Sequence, residues 1–219
     1  MAAKIISVVQ EKGGTGKSTI ACIIGGMAAD TLKVALIDAD LPQGTTASWA
    51  ALRLQDKPQN LTARTAGSAQ ELLALIQELT DTHDIIVIDA PPRLAETSKA
   101  ALMLSHLALV PLGASAAEIW ATGDLLDILE AVKAHKQIET RIVWTRFRAS
   151  TRSAKELSEA VRTGLKLKQL GTRLGYRVAY SEALARGLTP LEWTDKQAKQ
   201  EVRALGKEIG ALLKINLVR

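Results

Sequence analysis

The chain has 219 residues, of which 47% are hydrophobic and 23% are charged, and its formal net charge is +5. This length suits a single α/β domain with a full-sized core, and the composition is ordinary for a soluble globular protein. The single cysteine, Cys22, excludes an intrachain disulfide framework and a Cys-x-x-Cys metal site. No apolar run reaches the roughly 18 residues of a transmembrane helix, and the start lacks the pattern of a secretion signal. We therefore expect a cytoplasmic protein.

Strand and helix patterns alternate along the chain, which predicts a mainly parallel twisted sheet with helices on both faces. Five apolar runs are typical of buried strands: Ile5–Val9, Val34–Ile37, Asp84–Asp89, Leu107–Val110 and Arg141–Trp144. A last short strand is expected near Arg177–Ala179. Helical patterns lie at about 17–30, 44–55, 69–80, 94–104, 116–135, 151–168 and 195–214. Ser68, with Glu71 three residues later, indicates a helix N-cap.

The most informative motif follows the first predicted strand, where residues 11–18 read Glu-Lys-Gly-Gly-Thr-Gly-Lys-Ser. A Gly-rich turn between a strand and a helix presents backbone N–H groups and the positive end of the helix to a phosphate. Lys17 can then reach the β- and γ-phosphates, and the Ser18 hydroxyl can ligate Mg²⁺. The expected nucleotide-binding residues are Gly13, Gly14, Thr15, Gly16, Lys17, Ser18 and Thr19.

Two positions in this loop depart from the standard pattern. Glu11 stands where a glycine is usual, and Lys12 is an additional lysine. Lys-Gly-Gly-x-Gly-Lys-Ser/Thr is the deviant Walker A sequence, and the chain resembles the ParA/MinD superfamily of dimeric ATPases. The resemblance implies a P-loop NTPase-type fold, ATP and Mg²⁺ as cofactors, and an ATP-dependent homodimer. In that dimer Lys12 would be catalytic, reaching the partner's phosphates and neutralising charge on the transferring phosphoryl group. A solvated loop lysine is the alternative interpretation.

Carboxylates end two predicted strands, where Walker-type chemistry needs them. Asp89 precedes Ala90-Pro91-Pro92 and resembles a Walker B aspartate that holds a water on the Mg²⁺ shell; capping of the next helix is the alternative. Asp38 and Asp40 resemble the family's Walker A′ segment. The resemblance implies that Asp40 orients or activates the attacking water and that Asp38 supports the metal's second shell. Leu41 is an insertion that shifts the following switch loop by one position.

The C-terminal third carries a local excess of positive charge, and residues 178–192 resemble the C-terminal segment of short partition ATPases. The resemblance therefore covers nearly the whole chain. Partition-type members bind DNA nonspecifically through basic residues of this half. The candidates here are Arg146, Arg148, Arg152, Arg173, Arg177 and Arg186. Solvation of helices, a dimer interface or contact with the adenine are the alternatives for individual arginines. The adenine should lie near the loop after the strand ending at Trp144.

Taken together, the resemblance implies a short ParA-type partition ATPase, a single domain over residues 1–219 with no N-terminal helix-turn-helix. Its ATP-bound dimer would coat the nucleoid. A cargo-bound ParB-like or other adaptor would stimulate slow hydrolysis, so that the dimer segregates or positions a plasmid, a chromosome region or a protein organelle such as a carboxysome.

Two other functions compete with this one. A MinD-like protein would bind membrane through its terminal helix, and apolar residues at 205, 209, 212 and 213 with lysines between them fit a basic amphipathic helix. They fit a helix packed on the sheet equally well, and we favour that packing and no membrane contact. A metabolic P-loop enzyme would need a substrate cluster, whereas the three histidines are scattered.

Overall fold

The computed structural model of the chain describes residues 2–41, 43–57, 60–92, 96–120, 122–148, 152–165 and 167–218, with backbone alone for residues 152–155. Pro42, in the predicted switch loop, lies outside these residues. The strands are β1 Lys4–Val8, β2 Val34–Asp38, β3 Leu61–Thr65, β4 Ile85–Asp89, β5 Leu107–Gly113, β6 Glu139–Phe147 and β7 Gln169–Gly175. The helices are α1 Lys17–Ala28, α2 Thr45–Asp56, α3 Ala69–Leu79, α4 Glu96–Leu104, α5 Ala116–Trp120, α6 Gly123–Lys133, α7 Arg152–Gly164, α8 Val178–Leu184 and α9 Lys196–Leu213, with a 3-10 turn at Pro190–Glu192.

The strands form one sheet in the order β3-β2-β4-β1-β5-β6-β7, and all neighbouring pairs are parallel. Strands β2 and β4 are buried along their whole length, as their continuous apolar sequences predict. Helices α1, α2, α8 and α9 contribute to the core on one face, and α3, α4, α6 and α7 to the core on the other. The predicted α/β fold of P-loop NTPase type is confirmed. Within the described ranges, no helix combines the length and apolar character needed to cross a bilayer.

The sequence prediction was wrong at both edges of the sheet. The expected strand at Arg177–Ala179 is instead the start of α8, and the last strand is β7. In β7, Leu170, Thr172 and Leu174 are buried, while the two glycines of this seven-residue strand weaken the apolar pattern. Strand β3 was not predicted because it lies at the opposite edge and its last two residues are exposed.

Several element boundaries also differ from the prediction, and β6 runs over Glu139–Phe147 where Arg141–Trp144 was predicted. Strand β5 continues through Pro111 to Gly113. The pairing of β1 with β5 ends at Leu109, and Pro111, which has no N–H, cannot extend it. The helix predicted over 116–135 is divided into α5 and α6 near Thr122, whose hydroxyl donates to the Glu118 carbonyl at 2.9 Å. The predicted N-cap is confirmed, since the Ser68 hydroxyl accepts a bond from the Glu71 N–H.

Candidate functional site

The phosphate loop joins β1 to α1 at the carboxyl edge of the sheet. Gly14 and Gly16 have φ angles of 73° and 101°, a left-handed region that residues with a Cβ rarely adopt. The buried Thr15 donates its hydroxyl to the Lys12 carbonyl at 3.3 Å. From β6, the Thr145 hydroxyl donates to the Thr15 carbonyl at 2.8 Å. The loop conformation is thus held by its glycines and by a bond from a distant strand.

Lys17 is the buried cation of this loop, with 6% of its surface exposed. Burial lowers the pKa of its ammonium group, and the nearby Asp89 and Asp40 carboxylates oppose that shift. Among the described residues, its Nζ makes one hydrogen bond, to the Lys12 carbonyl at 3.4 Å. An ammonium group has three donors, so Lys17 keeps donors for an anion. Beside it, Gly13 is exposed, and Ser18 and Thr19 are partly exposed.

Asp89 lies at the end of β4 and is fully buried. Its Oδ2 accepts a hydrogen bond from the Thr46 hydroxyl at 2.7 Å, whereas Oδ1 has no partner of good geometry among the described residues. Burial raises the pKa of Asp89 to about 6, and the Thr46 and Ser18 hydroxyls oppose the shift. A buried carboxylate oxygen without a partner is costly, so this atom fits a water of a hydrated Mg²⁺.

The donor set also agrees with Mg²⁺ rather than with a metal held by protein alone. No group of three or more His, Cys, Asp or Glu side chains among the described residues could hold a metal ion. Mg²⁺ usually keeps several waters and is bound through one or two protein ligands together with substrate phosphates. Ser18 and Asp89, at the phosphate loop, are the residues that would hold it here.

Asp38 and Asp40 have different surroundings although they are two residues apart. The Asp38 oxygens accept bonds from the backbone N–H of Asp40 at 3.0 Å and of Ala47 at 2.8 Å, so Asp38 fixes the segment that leads into α2. Burial raises the pKa of Asp40, and the opposing effect of Lys17 places these two charges close together. Asp40 and Asp89 are therefore the two carboxylates whose charges act on Lys17, the residue expected to bind the phosphates. Its predicted catalytic role, and the metal-supporting role of Asp38, stay predictions.

Lys12 is partly exposed at the start of the loop. No hydrogen bond or ion pair of its ammonium group occurs within the described part of the chain, which agrees with a side chain that acts outside its own subunit. The role of Lys12 in a dimer stays a prediction.

A cavity of about 290 Å³ adjoins the phosphate loop. Its walls come from Gly14 to Gly16, from Thr145 and Arg146 at the end of β6, and from residues 174–181. The cavity adjoins Thr145 and Arg146, which follow Trp144 but belong to β6 and not to a loop. Its size and its position beside the phosphate loop suit a nucleoside. The position of the adenine stays a prediction.

Two of the six candidate DNA-binding arginines line this cavity and are already ion-paired. Arg146 binds Glu118 at 2.7 Å, and the same buried carboxylate accepts the Gly113 N–H at 2.6 Å. Arg177 binds Glu201 of α9 at 2.7 Å. Because each positive charge has a carboxylate beside it, these arginines add little net charge to an outer surface.

Three other candidate arginines lie over aromatic rings, and one of them, Arg148, lines a neighbouring cavity together with Arg146. The guanidinium carbons of Arg148, Arg173 and Arg186 lie 4.6, 4.5 and 4.7 Å from the ring centroids of Tyr176, Phe147 and Trp193, respectively. All three are exposed. The side chain of Arg152 lies outside the described residues. None of the five arginines whose side chains the structure describes is assigned to DNA by its contacts, and their role in DNA binding stays a prediction.

Two hydroxyl residues of the site were missed from the sequence. Thr46 contacts Asp89, and Thr145 contacts the phosphate loop, each across a large separation along the chain. Neither threonine belongs to a recognisable motif. Only the position of Thr46 near the predicted start of a helix, after Gly44, could have drawn attention to it.

Comparisons with known proteins agree with this geometry. The family model described as "CobQ/CobB/MinD/ParA nucleotide binding domain" matches residues 6–191. The maintenance of carboxysome distribution protein A of Gloeobacter kilaueensis is 30% identical over 210 residues, which cover 90% of this chain and 88% of that protein. The structure of apo McdA from Cyanothece has a TM-score of 0.80 at 19% identity, covering 95% of this chain and 100% of that one. A putative plasmid partition protein from Borrelia burgdorferi, solved with AMPPNP, has a TM-score of 0.77 at 22% identity, covering 95% and 99%.

Proposed function

Because the chain belongs to the CobQ/CobB/MinD/ParA family of nucleotide-binding proteins, we propose that it is a partition or positioning ATPase that works as an ATP-bound dimer on nonspecific duplex DNA. The observation that supports the nucleotide chemistry is the buried Oδ1 of Asp89, which has no hydrogen-bond partner of good geometry among the described residues, next to Ser18 and Lys17. These groups form a cation and phosphate site that is incomplete without Mg²⁺ and a nucleotide.

Within one subunit, the phosphate loop binds the triphosphate through its backbone N–H groups and Lys17. The base and sugar occupy the cavity beside Thr145 and Arg146. Ser18, and Asp89 through a water, would hold Mg²⁺, which would neutralise charge on the phosphates. Asp40 orients the attacking water, and its proximity to Lys17 supports this role.

Across the dimer, Lys12 contacts the nucleotide of the second subunit. Among the described residues its ammonium group makes no hydrogen bond or ion pair that would have to be broken first. A positive charge delivered in trans stabilises the charge of the transferring phosphoryl group. Hydrolysis therefore requires the dimer, which makes the dimer a transient state that a partner protein can end.

Dimer turnover of this kind suits the movement of a large cargo. One similar protein is named for carboxysome distribution and another as a putative plasmid partition protein. An adaptor on the cargo stimulates slow hydrolysis in our proposal and so releases the dimer from DNA near the cargo. Plasmid, chromosome region and protein organelle are all served by this cycle.

The membrane alternative has less support because the terminal helix is used inside the fold. In α9, Leu205 and Ile209 are fully buried and Leu213 nearly so, and the helix packs against β7 and α1. The predicted core packing of this helix is confirmed. Its apolar face is therefore not available for a bilayer without unpacking from the sheet.

The test is binding to random-sequence duplex DNA with ATP, with ADP and without nucleotide, each with Mg²⁺ and over a salt series. We expect binding with ATP alone that weakens steeply with salt and does not depend on sequence. The oligomeric state is measured in the same samples. ATP-driven dimers that bind no DNA would reject the DNA-binding part of the proposal and call for the same assay on lipid vesicles.

A further inference from the structure

A basic groove lies at the amino edge of the sheet, on the opposite side from the phosphate loop. It consists of two adjoining cavities of about 460 and 210 Å³ that share Lys133, Ile138 and Glu139. The first cavity adds Lys136, and the second adds residues near the beginnings of β6 and β7, including Arg141 and Lys168. We call this surface the amino-edge groove. None of the nucleotide chemistry described above uses it.

The amino-edge groove carries a net positive charge. Four of its side chains are cationic, namely Lys133, Lys136, Arg141 and Lys168, and its one carboxylate, Glu139, forms an ion pair with Arg141. Lys133 and Lys168 are exposed, and neither makes a hydrogen bond or ion pair with another described residue. Two lysines of the groove are thus available to an anion from outside.

Lys136 differs from these two because the fold holds it in place. Its Nζ donates to the carbonyls of Met103 at 2.9 Å and Ser105 at 2.7 Å, at the C-terminal end of α4. Partial burial lowers the pKa of this ammonium group. An anion in the groove would be stabilised by a positive charge that is already fixed. Binding to Lys136 would therefore cost less side-chain entropy than binding to a free lysine.

We propose that the amino-edge groove binds the phosphodiester backbone of duplex DNA, an inference that rests on the proposed function. The carboxyl edge is a poorer DNA surface, because Arg146 and Arg177 are neutralised by Glu118 and Glu201 and line the nucleotide cavity. Nonspecific DNA binding needs positive charge and N–H donors, not base contacts. The groove supplies both, without charge-neutralising partners at Lys133 and Lys168.

The chemistry of the groove favours DNA over an acidic peptide. Its apolar side chains, Ile138 and Leu167, are each 7% exposed, so they give a peptide side chain little surface for anchoring. The position of the groove also leaves it open when a second subunit closes over the phosphate loop. A dimer then presents two grooves, which increases affinity for long DNA through avidity.

The experiment compares the unaltered protein with Lys133→Glu/Lys168→Glu on random-sequence duplex DNA of at least a kilobase, with ATP and Mg²⁺. We expect the double variant to bind more than about tenfold more weakly, with a salt dependence shallower by about two units of slope, since each lost phosphate contact removes about 0.9. Its ATP-dependent dimerisation should be unchanged. The matched control is Arg203→Glu/Lys207→Glu on the exposed side of α9, which makes the same change in net charge.

The other possible results would reject the groove as the DNA site, DNA as its ligand, or DNA binding by the protein. Normal DNA binding by Lys133→Glu/Lys168→Glu, or an equal loss in the α9 control, would reject the groove while leaving the proposed function intact. If the double variant bound DNA normally but no longer bound a poly-glutamate peptide, the groove would be assigned to an acidic protein. Failure of the unaltered dimer to bind DNA would reject the DNA-binding function itself.

Discussion

The carboxylate of Glu192 joins the 3-10 turn to α2, and we expect Glu192→Gln to destabilise the fold. Arg53 donates to its Oε2 at 2.9 Å, Lys57 forms an ion pair with its Oε1, and the N–H and hydroxyl of Thr189 donate to Oε2 at 2.8 and 3.0 Å. The Arg53 side chain is 1% exposed. Glutamine keeps the shape of the side chain but removes the charge that compensates this buried guanidinium.

The magnitude follows from the pKa of Glu192. Burial alone would raise this pKa, but the bonds from Arg53, Lys57 and Thr189 outweigh burial and lower it to about 2 from 4.5. A lowered pKa stabilises the folded state above pH 4.5, and that contribution is lost as the pH falls towards 2. The shift corresponds to about 3 kcal/mol at pH 7, reduced somewhat because the Glu192 side chain is 21% exposed.

Urea unfolding of both proteins at pH 7 and pH 3 tests this reasoning. The difference in unfolding free energy between the native chain and Glu192→Gln should be about 2 to 3 kcal/mol at pH 7 and about 1 kcal/mol at pH 3. Glu96→Gln is the control, because Glu96 is an exposed helix residue paired only with Lys99 among the described residues, and it should change stability by less than about 0.5 kcal/mol. A difference that is equal at the two pH values would show that lost charge is not the cause.

Three further predictions concern the nucleotide site. Lys12→Ala should still bind ATP, although more weakly, and should form no ATP-dependent dimer by light scattering; normal dimers would refute the role in trans. Asp40→Ala should keep the dimer and lower ATP turnover by about 100-fold or more in a phosphate-release assay, and unchanged turnover would move water positioning to another residue. Thr46→Val removes the donor to Asp89 and should reduce stability by about 2 kcal/mol in urea, whereas Thr46→Ser should keep most of it. Equal losses in both Thr46 variants would indicate a packing effect.

The centre of the sheet could be predicted from the sequence, and its edges could not. Strands β2 and β4 are buried on both faces, so a continuous apolar run is enough to identify them. Strand β3 is partly exposed and β7 contains two glycines, so their sequences carry a weak pattern. These strands are stabilised by pairing with a neighbour, and the partner of an edge strand is not visible in its own residues.

The same distinction applies to the nucleotide site. Residues 12–19 form one contiguous motif because a phosphate loop is a local turn, and Asp38, Asp40 and Asp89 could be located because they end strands. Thr145 and Thr46 reach the site only through the folded sheet. The ion pairs of Arg146 and Arg177 are equally non-local, and they explain why counting arginines along the chain overestimates the positive charge of the carboxyl edge.

The nucleotide site links folding to function through two buried charges. Burial disfavours the charged form of both Lys17 and Asp89, lowering the pKa of the first and raising the pKa of the second to about 6. A phosphate beside Lys17 and a cation beside Asp89 each favour the charged form, so Mg²⁺ and ATP together relieve a cost that the folded chain already carries. Mg²⁺ and the phosphates also attract each other when both lie in this site. The protein should therefore be stabilised more by Mg²⁺ and ATP together than by the sum of their separate effects.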